Sequence, residues 1–171
     1  MRIALSLLLL AGAAAATAAP RNVCSLLTPA EISAYLPGAK AGKPEASREK
    51  YGVTACEWDT GGGTFFVQNW KSEGDSARDE IEALMLGVVD PMKRNAMANV
   101  RFETIQGLGD QAVAVVEVKD EKRSILNDAA MLIEKRGDQV LMLAATNAAR
   151  GDRAKVLAAL KSLAQKSLAR L

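Results

Sequence analysis

Residues 54–70 read Thr54-Ala55-Cys56-Glu57-Trp58-Asp59-Thr60-Gly61-Gly62-Gly63-Thr64-Phe65-Phe66-Val67-Gln68-Asn69-Trp70, two β-rich runs joined through Thr60 and three glycines. β-branched and aromatic residues suit a pleated, half-buried surface, and glycine supplies the backbone freedom of a tight connection, so this stretch predicts a β-hairpin. Alternation places Thr54, Cys56 and Trp58 on one face of the first strand, and Thr64, Phe66, Gln68 and Trp70 on one face of the second. Phe65 points away from Phe66, so both sides of the hairpin carry an aromatic. Trp58 and Phe66 sit where a core wants them, and the other side is either core under a second layer or an uncovered apolar surface.

Upstream, Thr28, Pro29, Ala30 and Glu31 form a capping box with proline at the first helical position, and Leu27 can staple onto Ile32. A short helix runs to about Leu36, where Pro37 and Gly38 stop it. Residues 39–52, rich in Lys, Gly, Pro and Glu, read as an exposed loop. Downstream, Ser76 caps a helix whose Ala77, Ile81, Leu84, Met85 and Val88 fall within an arc of about 100°, the width of a core-facing stripe. Asp90 and Pro91 end it, and residues 92–99 show no period. Strands follow at 100–105 and 112–118 around the turn Gly107-Leu108-Gly109-Asp110. A second hairpin spans 129–135 and 139–146, and its apolar run 140–145 predicts a central strand. A last helix from about Asp152 carries Val156, Leu157, Leu160, Leu163, Ala164 and Leu171 on one side and packs on the sheet. Strands grouped between helices, without regular βαβ alternation, predict an α+β domain: an antiparallel sheet of five or six strands flanked by helices.

Composition narrows the chemistry. The 171 residues include 22 basic and 20 acidic ones, two cysteines and no histidine. Imidazole bases, His-ligated metals and Ser/His/Asp relays are therefore excluded, and two thiols cannot build a four-thiolate zinc site. Arg2, an apolar run over residues 3–10 broken only by Ser6, and an alanine-rich stretch to Ala19 read as a secretory signal peptide with Ala16 and Ala18 at the small-residue positions of the cleavage site. The expected division is a signal peptide at 1–18 and a single domain at 19–171. The remaining charge balance of +1 offers no basic excess for a nucleic acid partner.

Export places Cys24 and Cys56 in an oxidising compartment, which predicts a disulfide between them. Closing that loop disfavours the unfolded chain by about 3.7 kcal/mol on the chain-entropy account. Arg21, Asn22 and Val23 do not make the apolar-small-small approach that acylation of Cys24 requires. The expectation is a periplasmic or secreted bacterial protein, soluble after cleavage and without a stable membrane span.

Cys24-Ser25-Leu26-Leu27-Thr28-Pro29-Ala30-Glu31, then Cys56-Glu57-Trp58, then Gly107-Leu108-Gly109-Asp110-Gln111-Ala112, and the closing apolar helix together resemble a family of small exported bacterial proteins with a domain of unknown function, related to cell-wall lipoproteins. The similarity runs from Cys24 to the end of the chain. It implies a helix-flanked antiparallel sheet similar to the PsbP-like fold, a bridge between the two cysteines and no catalytic residues. Association of distantly similar lipoproteins with envelope lipid transport points to binding work. The chain departs from the lipoprotein members in lacking an acylation motif.

Other motifs carry no chemistry. No Lys-Ser/Thr or helix follows residues 61–63, so they are a hairpin loop rather than a phosphate cradle. Gly107-Leu108-Gly109-Asp110 lacks the third glycine of a dinucleotide fingerprint. Glu73, Asp75, Asp79, Glu80 and Glu82 lack calcium-loop spacing and complement a helix dipole instead. No catalytic residue, metal or cofactor is expected. The candidates for an apolar ligand or lipid are Trp58, Phe65 and Trp70 of the hairpin, with Met92 and Met97 as an adaptable lip. The alternative is a protein-interaction or structural module of the envelope, using the basic face of the last helix (Lys155, Lys161, Lys166, Arg170) or the loop containing Lys40, Lys43, Arg48 and Lys50.

Overall fold

The capping box forms as its residues dictate: Thr28 Oγ1 accepts from the Glu31 amide at 3.2 Å, and the Glu31 carboxylate accepts from the Thr28 amide at 2.9 Å. It starts α1 (Pro29–Ser33) in a computed structural model that describes residues 22–72, 74–88, 100–117, 130–146 and 153–171. The expected signal peptide, Met92 and Met97 lie outside the described residues.

Among these residues seven strands form one open antiparallel sheet: β1 (Lys43–Pro44), β2 (Thr54–Asp59), β3 (Thr64–Lys71), β4 (Val100–Thr104), β5 (Gln111–Glu117), β6 (Ala130–Arg136) and β7 (Gln139–Thr146), in the spatial order β1-β2-β3-β7-β6-β5-β4. The class is α+β, and β7 occupies the centre, as its unbroken apolar run requires. The count is seven rather than five or six because β1 pairs with β2 inside the stretch read as loop, setting Lys43 opposite Glu57 and Pro44 opposite Cys56. Two exposed residues show no alternation, and a lysine and a proline are what an edge strand tolerates. The same stretch also holds a 3-10 turn, Ala46–Tyr51.

Helices cover both faces of the sheet. On one, α3 (Arg153–Leu168) lays Val156, Leu160, Leu163 and Ala164 over Val67, Leu132, Leu143 and Ala145, with Leu26, Leu27 and Ile32 closing the same core. On the other, α2 (Ala77–Val88) sets Ala77 and Ile81 against Val113, Val115, Ile133 and Met142. No helix among the described residues is long and apolar enough to cross a membrane.

The Gly-Leu-Gly-Asp turn fastens β5 to the β6–β7 hairpin. Gly109 has φ +59°, and a Cβ there would lie 2.7 Å from the Lys135 carbonyl oxygen, so only glycine fits without a shift. Leu108 drops into the α3-side core, and the Asp110 carboxylate accepts from the Gly137 amide at 2.7 Å. At the other end of the sheet the Cys24–Cys56 disulfide ties the N-terminal turn to β2, with Cα atoms 5.2 Å apart.

Candidate functional site

The register of β2 and β3 pairs Trp58 with Phe65, so both rings enter the α3-side core, 5.5 Å apart and fully buried. Phe66 and Trp70 face α2 instead. The Trp70 indole N–H donates to the Glu80 carboxylate at 3.1 Å, and the same carboxylate accepts from Ser72 Oγ and the Gly74 amide. Thus the three described aromatics proposed for an apolar ligand do not converge: two lie beneath α3 and the third is anchored across the sheet. Trp58 Nε1 is buried without an acceptor, covered by the Gly42 backbone.

Four of the eight basic candidates meet acids. Lys40 and Lys43 lie within 4 Å of Asp59, and Lys166 and Arg170 converge on Glu31. The acidic cluster is divided among local partners: Asp79 accepts from Ser76 Oγ, Glu82 pairs with Arg78, and Glu80 holds Trp70 and Ser72. No group of three or more metal-ligating side chains occurs among the described residues.

A different residue is chemically unsettled. Glu134 on β6 is 1 % exposed, and neither carboxyl oxygen has a hydrogen-bond partner. Parity along β6 puts it on the α3 face with Ala130 and Leu132, and its cross-strand neighbours are Ala112 and Leu141, both buried in that core. Removal from water disfavours the carboxylate, and burial pushes the Glu134 carboxyl up to about 9, so it is a neutral acid at pH 7. An unpartnered group of this kind destabilises a fold.

Glu134 lines a cavity of about 290 Å³ under the end of α3, together with Leu141, Leu168, Leu171, Arg136 and Gln139. Arg136 and Gln139 are exposed and form the rim, whereas Leu168 and Leu171 are half-buried and form the cover. The Arg136 guanidinium donates to the Leu168 carbonyl at 3.3 Å, holding the rim to the helix end. Two features of β6 hide Glu134 in the sequence. It precedes Lys135 and Arg136, which reads as the solvated end of a strand, and its cover comes from Leu168 and Leu171, more than thirty residues away. The one available signal was an acid sharing the parity of Ala130 and Leu132.

Compared with protein-family models, curated proteins and solved structures, the chain matches none.

Proposed function

We propose that this chain is an exported, non-enzymatic bacterial domain that binds a small amphipathic ligand, and that the ligand sits in the cavity beneath the end of α3. One observation carries the reading: a buried acid without a partner lines a cavity that has an apolar wall and a polar rim. Such a combination of apolar lining and few polar groups is how small-molecule sites are built. The signal-like residues 1–18 and the bridged cysteines support a periplasmic or secreted location. The resemblance to small exported proteins related to cell-wall lipoproteins, with a PsbP-like arrangement of sheet and helices, supports binding in the envelope rather than catalysis. The cavity itself favours binding too: among the described residues the one other ionisable side chain lining it is that of Arg136, a guanidinium that offers hydrogen-bond donors and no acceptor.

Native mass spectrometry of the purified protein after incubation with an envelope lipid and metabolite extract tests this. Bound small molecules that disappear in Leu168→Trp, which fills the cavity, are the expected result. An empty protein, or binding unaffected by Leu168→Trp, contradicts it.

A second reading, an interaction module of the envelope, rests on Tyr51, 73 % exposed with Lys50 Nζ 4.8 Å above its ring. Loss of a captured envelope partner on Tyr51→Ser, with Leu168→Trp unaffected, would favour that reading instead.

A further inference from the structure

Resting on the ligand-binding reading above, the shape and polarity of the same cavity narrow the ligand's class. Glu134 and Arg136 stand two residues apart on one face of β6, which places their Cα atoms about 7 Å apart. That separation suits a carboxylate that accepts one hydrogen bond on each oxygen. One bond would come from the guanidinium and the other from a neutral carboxylic acid, a charge-assisted O–H···O⁻ contact of the strong kind. Among the described residues Arg136 makes one long bond, to the Leu168 carbonyl through Nη1, which leaves the other N–H groups of the guanidinium for a ligand. Leu141, Leu168 and Leu171 supply an apolar wall for a tail, and 290 Å³ is the space of about ten waters, so the tail is short.

We propose that the cavity binds a small monocarboxylate with a short aliphatic tail, its head held between Arg136 and the Glu134 carboxyl group and its tail against Leu141, Leu168 and Leu171. The carboxyl oxygens of Glu134 are covered, so the head reaches them as the half-buried Leu168 and Leu171 side chains part, and the tail then lies between those side chains and Leu141. An ammonium ligand meets an arginine and a neutral acid, neither of which attracts it. A wholly apolar ligand leaves Glu134 and the rim without partners. Among the described residues, the charged and polar side chains that line the cavity with Glu134 are Arg136 from its own strand and Gln139 from β7, while Ala112 of β5 and Leu168 of α3 are apolar. Binding is therefore level from pH 6 to 8 and weakens above about 9, where two carboxylates would have to share the site.

Titration of the purified protein with hexanoate, hexanol and hexylammonium, followed by calorimetry and by amide shifts of Arg136, Gln139 and Leu141, tests the class. Hexanoate is expected to bind at least tenfold more tightly than hexanol, with hexylammonium weaker still. Arg136→Gln should weaken hexanoate at least tenfold. Glu134→Gln, which keeps an N–H donor, should bind within a few-fold of the parent and lose the weakening above pH 9, whereas Glu134→Leu should lose at least tenfold. Circular dichroism of each variant separates loss of binding from loss of fold. Hexanol binding as well as hexanoate, preference for hexylammonium, or indifference to Arg136→Gln overturns the carboxylate while leaving a ligand site in place. No amide shift with any of the three probes, together with an empty protein after exposure to the extract, overturns both readings.

Discussion

Arg170 grips Glu31 with two nitrogens, Nη1 on Oε2 at 2.8 Å and Nη2 on Oε1 at 2.6 Å, across 139 residues of chain. The same Nη1 also donates to the Leu26 carbonyl at 2.6 Å. Glu31 thus serves twice, as the reciprocal half of the α1 capping box and as the anchor for the end of the chain. The Arg170 guanidinium and the Thr28 amide hold its carboxyl well below the usual carboxylate range. A carboxyl depressed in this way stabilises the fold above its unfolded value, near 4.5, and that contribution is lost as pH falls towards the folded value. Glu31→Gln is expected to lower stability at pH 7 by about 1–3 kcal/mol, and to lose less than the parent between pH 5 and 2. Urea denaturation at pH 2.5, 4 and 7 checks this; parallel pH profiles for the two proteins would contradict it.

Gly42 lies against the disulfide and the Trp58 indole. A Cβ placed on it would come within 2.6 Å of Trp58 Nε1 and 2.7 Å of Cys56 Sγ, both in the rigid core. Because neither the indole nor the bridged sulfur can swing aside, Gly42→Ala should destabilise the fold by about 1–3 kcal/mol, the usual range for overpacking. Thermal melting shows it directly. A melting temperature equal to the parent's would mean that the residue 39–42 segment moves freely over the core.

The bridge itself closes a 32-residue separation and pins the N-terminal turn to β2. Its removal in the Cys24→Ser, Cys56→Ser double variant should cost about 3–4 kcal/mol. Comparison of the parent under reducing conditions with the double variant isolates the covalent link, since both lack it. Agreement of the two curves, displaced from the oxidised parent, is the expected pattern.

Much of this architecture is legible residue by residue because its signals are local. Thr28 and Glu31 announce their capping box, β7 spans the run 139–146 read from its apolar residues, and Ala77 and Ile81 mark the buried stripe of α2. What escapes is set by distant partners. The pairing of Lys43–Pro44 depends on β2, and no two-residue strand has a period. Alternation correctly separates Phe65 from Phe66, but only the β2–β3 register decides that Trp58 joins Phe65 rather than Phe66. The candidate cavity is least legible of all. Trp58 and Phe65 are buried in the core, and Trp70 is hydrogen-bonded to Glu80. The residue with unsatisfied chemistry is an acid in a strand whose surroundings are created by α3 folding back over it.

Glu134 makes the stability of the fold depend on pH in the opposite sense from Glu31. Its carboxyl titrates near 4.5 in the unfolded chain and, through burial alone, near 9 in the folded one. Between those values the folded chain keeps a proton that the unfolded chain has released, so the stabilising contribution is complete below about 4.5 and is lost as pH rises towards 9. At full effect the slope is about 1.4 kcal/mol for each pH unit. The chain has no histidine to titrate in this window, which makes the slope attributable. Glu134→Leu replaces the acid with a side chain its leucine and alanine neighbours accept, so it should flatten the profile and exceed the parent in stability at pH 8. Glu134→Gln should flatten it as well but gain less, because its amide remains without partners. Urea denaturation at pH 5, 7 and 8.5 distinguishes the three proteins. A parent profile as flat as that of Glu134→Leu would mean that water or a neighbouring group reaches the carboxyl and keeps it charged, and the cavity would then need no ligand to satisfy it.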